Sequence, residues 1–242
     1  MSRYYYDLHT HSCLSPCADD DNTPNNLLGM ASLAGIDILA LTDHNTAKHC
    51  PAFFEAAYRY GVIPIAGVEL TTAEDIHVIC LFEQLDDAMR FDDYLLTHRN
   101  PIKNKPHIFG NQIITDKDDN ATGSIDTVLS FATDITVDDV KSTVDSFNGI
   151  SYPAHIDREA NGIITTLGTL PEYLNFSVVE FRDKGNVKSY CERFHLTGKK
   201  ILINSDAHNL TDIRDKDNFL DLDANRDDAD SVRKKLFKYL RS

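Results

Sequence analysis

The stretch Asp7-Leu8-His9-Thr10-His11 closes a short aromatic and apolar run, residues 4–8, with the composition of a buried strand. Side chains alternate between the two faces of a strand, so histidines two positions apart point the same way and can hold one ion together. The pattern recurs along the chain. Apolar runs at 38–42, 62–68, 150–154 and 201–205 lead directly into Asp43 and His44, Glu69, His155, and Asp206 with His208. A further run, 76–82, carries His77 near its start.

Between these runs lie helical patterns. Thr23 before Pro24 is a helix start, with a cap residue ahead of proline at the first helical position, and Gly35 ends the apolar face that follows. Helices are expected again over 51–60, 86–96, 136–147, near 187–196 and over 228–240, with further strands at 177–181 and 201–204. Strand and helix alternating with short glycine-marked joints predict an α/β fold with a parallel sheet, and about seven strands can be counted, short of the eight of a regular TIM barrel. Residues 97–134 break the rhythm with Pro101, Pro106, Gly110 and a polar segment, and hold too little apolar material for a core of their own. They read as an insertion containing a hairpin, either a substrate-selecting element beside the mouth of a barrel or a solvated decoration. The acidic stretch 212–228 reads as a solvated loop.

Composition narrows the function. A charge of −14 predicts no binding of long nucleic acid, while a small anionic substrate stays open because bound cations reverse the sign locally. Five cysteines without a CxxC pair predict no disulfide framework. No apolar run reaches the roughly 20 residues of a membrane span, and the N-terminus has no apolar signal core, so no membrane partner and a cytoplasmic location are expected.

Residues at strand ends converge on one face of a barrel-type fold, which would gather His9, His11, His44, Glu69, His77, His155, Asp206 and His208 in one bowl. Imidazole and carboxylate suit Zn, Mn or Fe, and eight such ligands exceed what one ion takes. Two or three divalent ions bridged by Glu69 are therefore expected. Such a cluster activates water and clamps the oxygens of a displacement at phosphorus, although it could also attack a carbonyl or amidine carbon. Phosphoryl chemistry needs cationic donors nearby, for which Arg158, Arg182 and Lys184 are candidates.

The motifs His9-Thr10-His11, Thr42-Asp43-His44, Gly67-Val68-Glu69, His77, Pro153-Ala154-His155 and Ser205-Asp206-Ala207-His208 resemble, in order and type, the PHP (polymerase and histidinol phosphatase) superfamily. The resemblance implies a single domain over 1–242, a distorted seven-stranded (β/α) barrel of TIM-like form, and a trinuclear metal site. It implies that His9, His11, Glu69 and Asp206 hold one ion, Glu69, His77 and His155 a second, and His44 with His208 a third. Glu69, His77, His155 and Asp206 are then the catalytic set, and Asp43 orients a histidine ligand; of the cationic candidates Arg158, three residues beyond His155, is assigned to the substrate phosphate. Many members follow the first motif with a serine-aspartate-glycine turn; this chain has Ser15, Pro16 and Cys17, so Asp19, Asp20 or Cys17 would have to replace the missing ligand. The expected activity is metal-dependent hydrolysis of a small phosphorylated compound such as a nucleotide, short oligonucleotide, or sugar or amino-alcohol phosphate. An amidohydrolase-like C–N hydrolase and a noncatalytic metal-binding domain are the alternatives.

Overall fold

The computed structural model describes residues 1–242. In chain order the elements are β1 (Ser2–Thr10), α1 (Pro24–Ala34), β2 (Ile38–Leu41), α2 (Cys50–Ala57), β3 (Ile63–Thr71), β4 (His77–Phe82), α3 (Leu85–Leu95), α4 (Pro106–Phe109), β5 (Ile113–Thr115), β6 (Ala121–Ser124), α5 (Val137–Ser146), β7 (Gly149–Pro153), α6 (Ile163–Leu167), β8 (Val178–Phe181), α7 (Val187–Arg193), β9 (Lys200–Ile203), β10 (Phe219–Leu222) and α8 (Ala229–Arg241). Six strands form a curled half-barrel sheet in the order β10-β1-β2-β3-β4-β7. A separate parallel pair, β8-β9, stands beside it. The hydrogen-bonded ladder is not continuous around a barrel: Leu8 N–H donates to Asn204 Oδ1 at 2.9 Å, and a single bridge joins Thr10 to Ala207, where β9 leads back toward β1.

The sheet is mixed rather than parallel. β1, β2 and β3 run parallel, but β4 pairs antiparallel with both β3 and β7. The cause is local: only residues 72–76 separate β3 from β4, with Asp75 at φ 63°, and such a short joint makes a hairpin rather than a crossover. Reversal places the start of β4, with His77, level with the end of β3, with Glu69. The loop expected at 212–228 contains β10, which pairs antiparallel with β1. Leu220 and Leu222 alternate inward while Asp221 faces out, a short pattern masked by the surrounding acids.

Two layers of core follow from strand alternation. Tyr4, Tyr6, Leu8, Ile38, Ala40, Ile63, Ile65, Ile79 and Leu81 face the inside of the half-barrel. Helix α8 fills one end of it with Val232, Leu236, Phe237 and Leu240, each burial contributing on the order of 1.5–3 kcal/mol. The outer faces of β3 and β4, including Val68, Leu70, Val78 and Phe82, pack on α3 and α5. Gly67 lies inside because a Cβ there would stand 2.9 Å from Thr42 Cγ2 and 2.8 Å from Leu81 Cδ2. The helices start where capping predicts: Thr23 accepts from Asn26 N–H, Thr136 from Asp139 N–H, and Asp228 from Ser231 N–H. No helix is long and apolar enough to cross a membrane, and all five cysteines are free.

Candidate metal centre

The end of the half-barrel opposite α8 is polar and buried. Between β1 and β2 the register slips, Asp7 lying opposite Leu39 but Thr10 opposite Leu41, so β1 carries one extra residue there. That bulge lets Leu8 stay in the apolar interior while His9 and His11, next along, both turn into the bowl. Their Nε2 atoms lie 3.1 Å apart. His9 Nε2 is 3.3 Å from Glu69 Oε1 and 3.3 Å from Asp206 Oδ1; His11 Nε2 is 3.2 Å from Glu69 Oε2 and 3.4 Å from the same Asp206 oxygen. Four ligands about 2.1 Å from a tetrahedral ion stand about 3.4 Å from one another. The four His–carboxylate distances fall near that spacing, with Glu69 presenting Oε1 to His9 and Oε2 to His11.

Glu69 extends the cluster. Its Oε1 is 2.8 Å from His77 Nδ1 and 3.1 Å from His155 Nε2, and its Oε2 is 3.1 Å from His44 Nδ1. Donor atoms of His44, Glu69 and His77 form a second group within 4.8 Å of one another, and those of His11, His44 and His208 a third. Several of these atoms are buried without a hydrogen-bond partner: His44 Nδ1, Glu69 Oε2 and Asp206 Oδ1. Buried polar atoms left unpaired are costly, and a divalent cation would satisfy the lone pairs that face one another here. The donor set therefore fits divalent metal. Burial alone would raise the Glu69 carboxyl, but His77 and His9 hold it well below the usual carboxylate range, so it is present as the anion. Asp206 shifts the same way, its burial outweighed chiefly by His9 and His11.

The surrounding hydrogen bonds aim the ligands. Glu180 Oε1 takes His9 Nδ1 at 2.8 Å and the His155 backbone N–H at 3.0 Å, and its Oε2 accepts from Asn204 Nδ2 at 2.6 Å. Holding the Nδ1 proton leaves His9 Nε2 free for an ion. Asp43 acts one step away from His11: its Oδ1 accepts from Ser15 Oγ at 2.7 Å, and that oxygen in turn accepts from His11 Nδ1 at 3.1 Å. Ser15, which stands in the altered turn, thus serves the site as an orienting hydroxyl. Asp43 Oδ2 accepts from Ser12 Oγ at 2.6 Å, Ser12 Oγ meets His49 Nδ1 at 2.7 Å, and His49 Nε2 accepts the Thr115 backbone N–H at 2.8 Å. This chain of contacts runs from β5, in the 97–134 segment, to a ligand. His208 donates Nδ1–H to the Asp206 carbonyl at 2.9 Å, leaving Nε2 toward the bowl.

The residues considered as substitutes for the third ion stand outside the three donor groups. Asp20 accepts from Asn111 Nδ2 at 2.7 Å, Asp19 accepts from the Asp21 N–H at 2.9 Å, and the Cys17 thiol is pushed up to about 12, first by desolvation and then by the Glu69 carboxylate. Arg158 donates to Asp206 Oδ2 at 2.7 Å with 33 % of its side chain exposed, so it bridges the ligand shell and the surface. Lys184 lies 3.8 Å from Asp217, both exposed. Glu180, Asn204, Ser12, Ser15 and His49 escaped the sequence reading. Only Glu180 left a signal, as the one carboxylate in the apolar run Val178-Val179-Glu180-Phe181.

Comparison with known proteins follows the same geometry. Over 74 residues the chain is 38% identical to an error-prone DNA polymerase of Symbiobacterium thermophilum, covering 31% of this chain and 7% of that protein. Over 79 residues it is 37% identical to a 5'-3' exoribonuclease of Haemophilus influenzae, covering 31% of this chain and 28% of that one. The chain thus matches less than a third of the length of either relative. Among solved structures it resembles lesion-specific endonuclease Q from Pyrococcus furiosus, with a TM-score of 0.67 at 15% identity over 96% of this chain and 55% of that one. Endonuclease Q in complex with a 27-mer duplex substrate gives a TM-score of 0.62 at 14% identity, over 99% of this chain and 57% of that chain.

These likenesses correct the exclusion of long nucleic acid drawn from net charge. Endonuclease Q, of the same fold, takes a 27-mer duplex. A whole-chain charge of −14 averages over the surface, whereas phosphates respond to the local field, so net charge alone does not exclude nucleic acid. The PHP domain pattern itself matches residues 7–149, more than half of the 242 residues, and on that match the chain belongs to the PHP domain family.

Proposed function

We propose that this protein is a metal-dependent phosphoesterase acting on nucleic acid, with His9, His11, His44, Glu69, His77, His155, Asp206 and His208 holding two or three divalent ions. The observation that carries this reading is the buried group His9, His11, Glu69 and Asp206, whose donor atoms all lie within 4.8 Å of one another, with Arg158 hydrogen-bonded to Asp206. Bound Zn, Mn or Fe would supply Lewis acidity and a nucleophilic water near neutral pH. The chain's own residues do the rest. Glu180 and the Asp43–Ser15 pair fix the ring orientation of His9 and His11, and buried walls keep bulk water from the carboxylates. Arg158 uses one nitrogen on Asp206 and has further N–H donors for a phosphate oxygen.

We read 1–242 as one PHP domain, with the seven strands β1–β4 and β7–β9 as the wall of a distorted barrel. The 97–134 segment is the insertion that shapes its mouth. It docks on the loop after β1, where Ile113 N–H donates to the Cys13 carbonyl at 3.2 Å. The relatives' names favour phosphodiesters of nucleic acid over other esters. The test is elemental analysis of the purified chain together with a screen of phosphomonoesters, phosphodiesters and oligonucleotides, with Mn or Zn and with chelator. Two or three ions per chain and chelator-sensitive phosphate-ester hydrolysis are expected. Less than one ion per chain after metal is supplied, with no turnover, refutes the assignment.

A further inference from the structure

Beside the bowl lies a cleft of about 520 Å³ lined by Asp157, Arg158, Arg182, Asp183, Asn186 and Arg214. Three arginines in one cleft are notable in a chain of charge −14. Their environment shows what is free to bind. Asp157 Oδ1 accepts the Arg182 N–H at 2.9 Å, and its Oδ2 accepts the Asp183 N–H and Asn186 Nδ2, each at 3.0 Å. Asp183 Oδ1 accepts the Gly185 N–H at 2.7 Å. Both carboxylates are thus turned onto the loop that follows β8 and hydrogen-bonded to it.

The guanidinium groups are treated differently. Arg214 donates Nη2 to the Arg182 carbonyl at 2.8 Å, which fixes it across the cleft, yet neither Arg182 nor Arg214 has a carboxylate within ion-pair distance. Arg158, which also lines the cleft, contacts Asp206 at 2.7 Å, so this one arginine is common to the cleft and the candidate metal centre. Planar guanidinium groups left without carboxylates beside a site for phosphate esters suit further phosphates, which they grip in a bidentate way.

We propose that Arg182 and Arg214 form a binding track for the phosphodiester strand next to the scissile phosphate. This rests on the phosphoesterase reading above and deepens it. A strand with flanking phosphates engages both the bowl and the track, whereas a small diester engages only the bowl. The track therefore makes the enzyme prefer oligonucleotides over small phosphate esters.

The test uses the full chain with Arg182→Gln and Arg214→Gln combined. Binding of a labelled single-stranded 12-mer is followed by fluorescence anisotropy in chelator, across a salt series. In the Mn-loaded protein, kcat/KM is measured for the same 12-mer and for bis(p-nitrophenyl) phosphate. The double variant should weaken 12-mer binding about tenfold or more and lower the slope of log Kd against log salt by roughly 1 to 2. The ratio of oligonucleotide to small-diester kcat/KM should fall by a similar factor. An unchanged salt slope and ratio, equal loss on both substrates, or no 12-mer binding by the parent protein at low salt overturns the track. If the parent hydrolyses no phosphate ester yet loses strand binding on substitution, the track stands and the phosphoesterase reading fails.

Discussion

Replacing Glu180 by glutamine tests how far the metal centre depends on a group that touches no ion. The carboxylate accepts three hydrogen bonds, from His9 Nδ1, the His155 N–H and Asn204 Nδ2. A glutamine oxygen can keep the first two, but its NH2 then faces the NH2 of Asn204. Asn204 cannot turn over to help, because its Oδ1 already accepts the Leu8 N–H at 2.9 Å. One buried donor is left unpaired and a charge-assisted bond to His9 becomes neutral, a loss on the order of 1.5–3 kcal/mol. Passed to the orientation of His9, this should lower metal affinity about 10- to 100-fold. Competition with a chromophoric chelator measures that affinity, with circular dichroism as the check on folding. The double variant Glu180→Gln with Asn204→Asp restores acceptors for both the glutamine amide and the Leu8 N–H, and should recover part of the loss. Parental metal affinity in the single variant, or no recovery in the double, would refute the reasoning.

Other substitutions and conditions probe the same centre. His155→Ala should remove one ion per chain and most turnover while leaving the fold intact; full activity with unchanged metal content would cancel its assigned role. Arg158→Ala should cost about 1.5–3 kcal/mol of transition-state stabilisation, seen as a roughly 10- to 100-fold fall in kcat/KM for phosphate esters. Unchanged kinetics would leave Arg158 only as the partner of Asp206. In the metal-free protein, burial lowers the proton affinity of His11, but Asp206 and Glu69 more than reverse this and bring it to about 9. Against an unfolded value of about 6.5, that stabilisation is complete below pH 6.5 and lost as pH rises through 9. Burial pushes His208 down to about 4, so its contribution is present above pH 6.5 and lost as pH falls through 4. The melting temperature of metal-free protein should therefore peak near pH 6.5, and saturating metal, which keeps protons off these nitrogens, should flatten the alkaline side. A metal-free melting temperature that rises from about pH 7 to about pH 9 would contradict this.

The candidate metal ligands were legible in the sequence because all but His77, which opens its run, follow an apolar run, where the residue type stands out against its neighbours. His9, His11, Glu69 and Asp206 are an example, and the structure brings their donor atoms together. The direction of β4 was less legible, since alternation of apolar residues is the same in parallel and antiparallel strands and only the brevity of 72–76 distinguishes them. β10 was hidden by its acidic surroundings, and Arg214 with it. The orienting groups were hardest to see. Ser15 and His49 act through contacts across 28 and 37 positions in the chain, and no local spacing announces such a partner.

His155 and Asp206 hold their backbones at φ 24° and 54°, in the left-handed region that side chains bearing a Cβ avoid. Folding on its own would favour glycine or asparagine at both positions, by roughly 1 kcal/mol each. The rim of this bowl is thus a place where selection for a stable chain and selection for a working one pull apart. A redesign guided by thermostability alone would be drawn to these two positions first, and would return a sturdier protein with its metal centre dismantled.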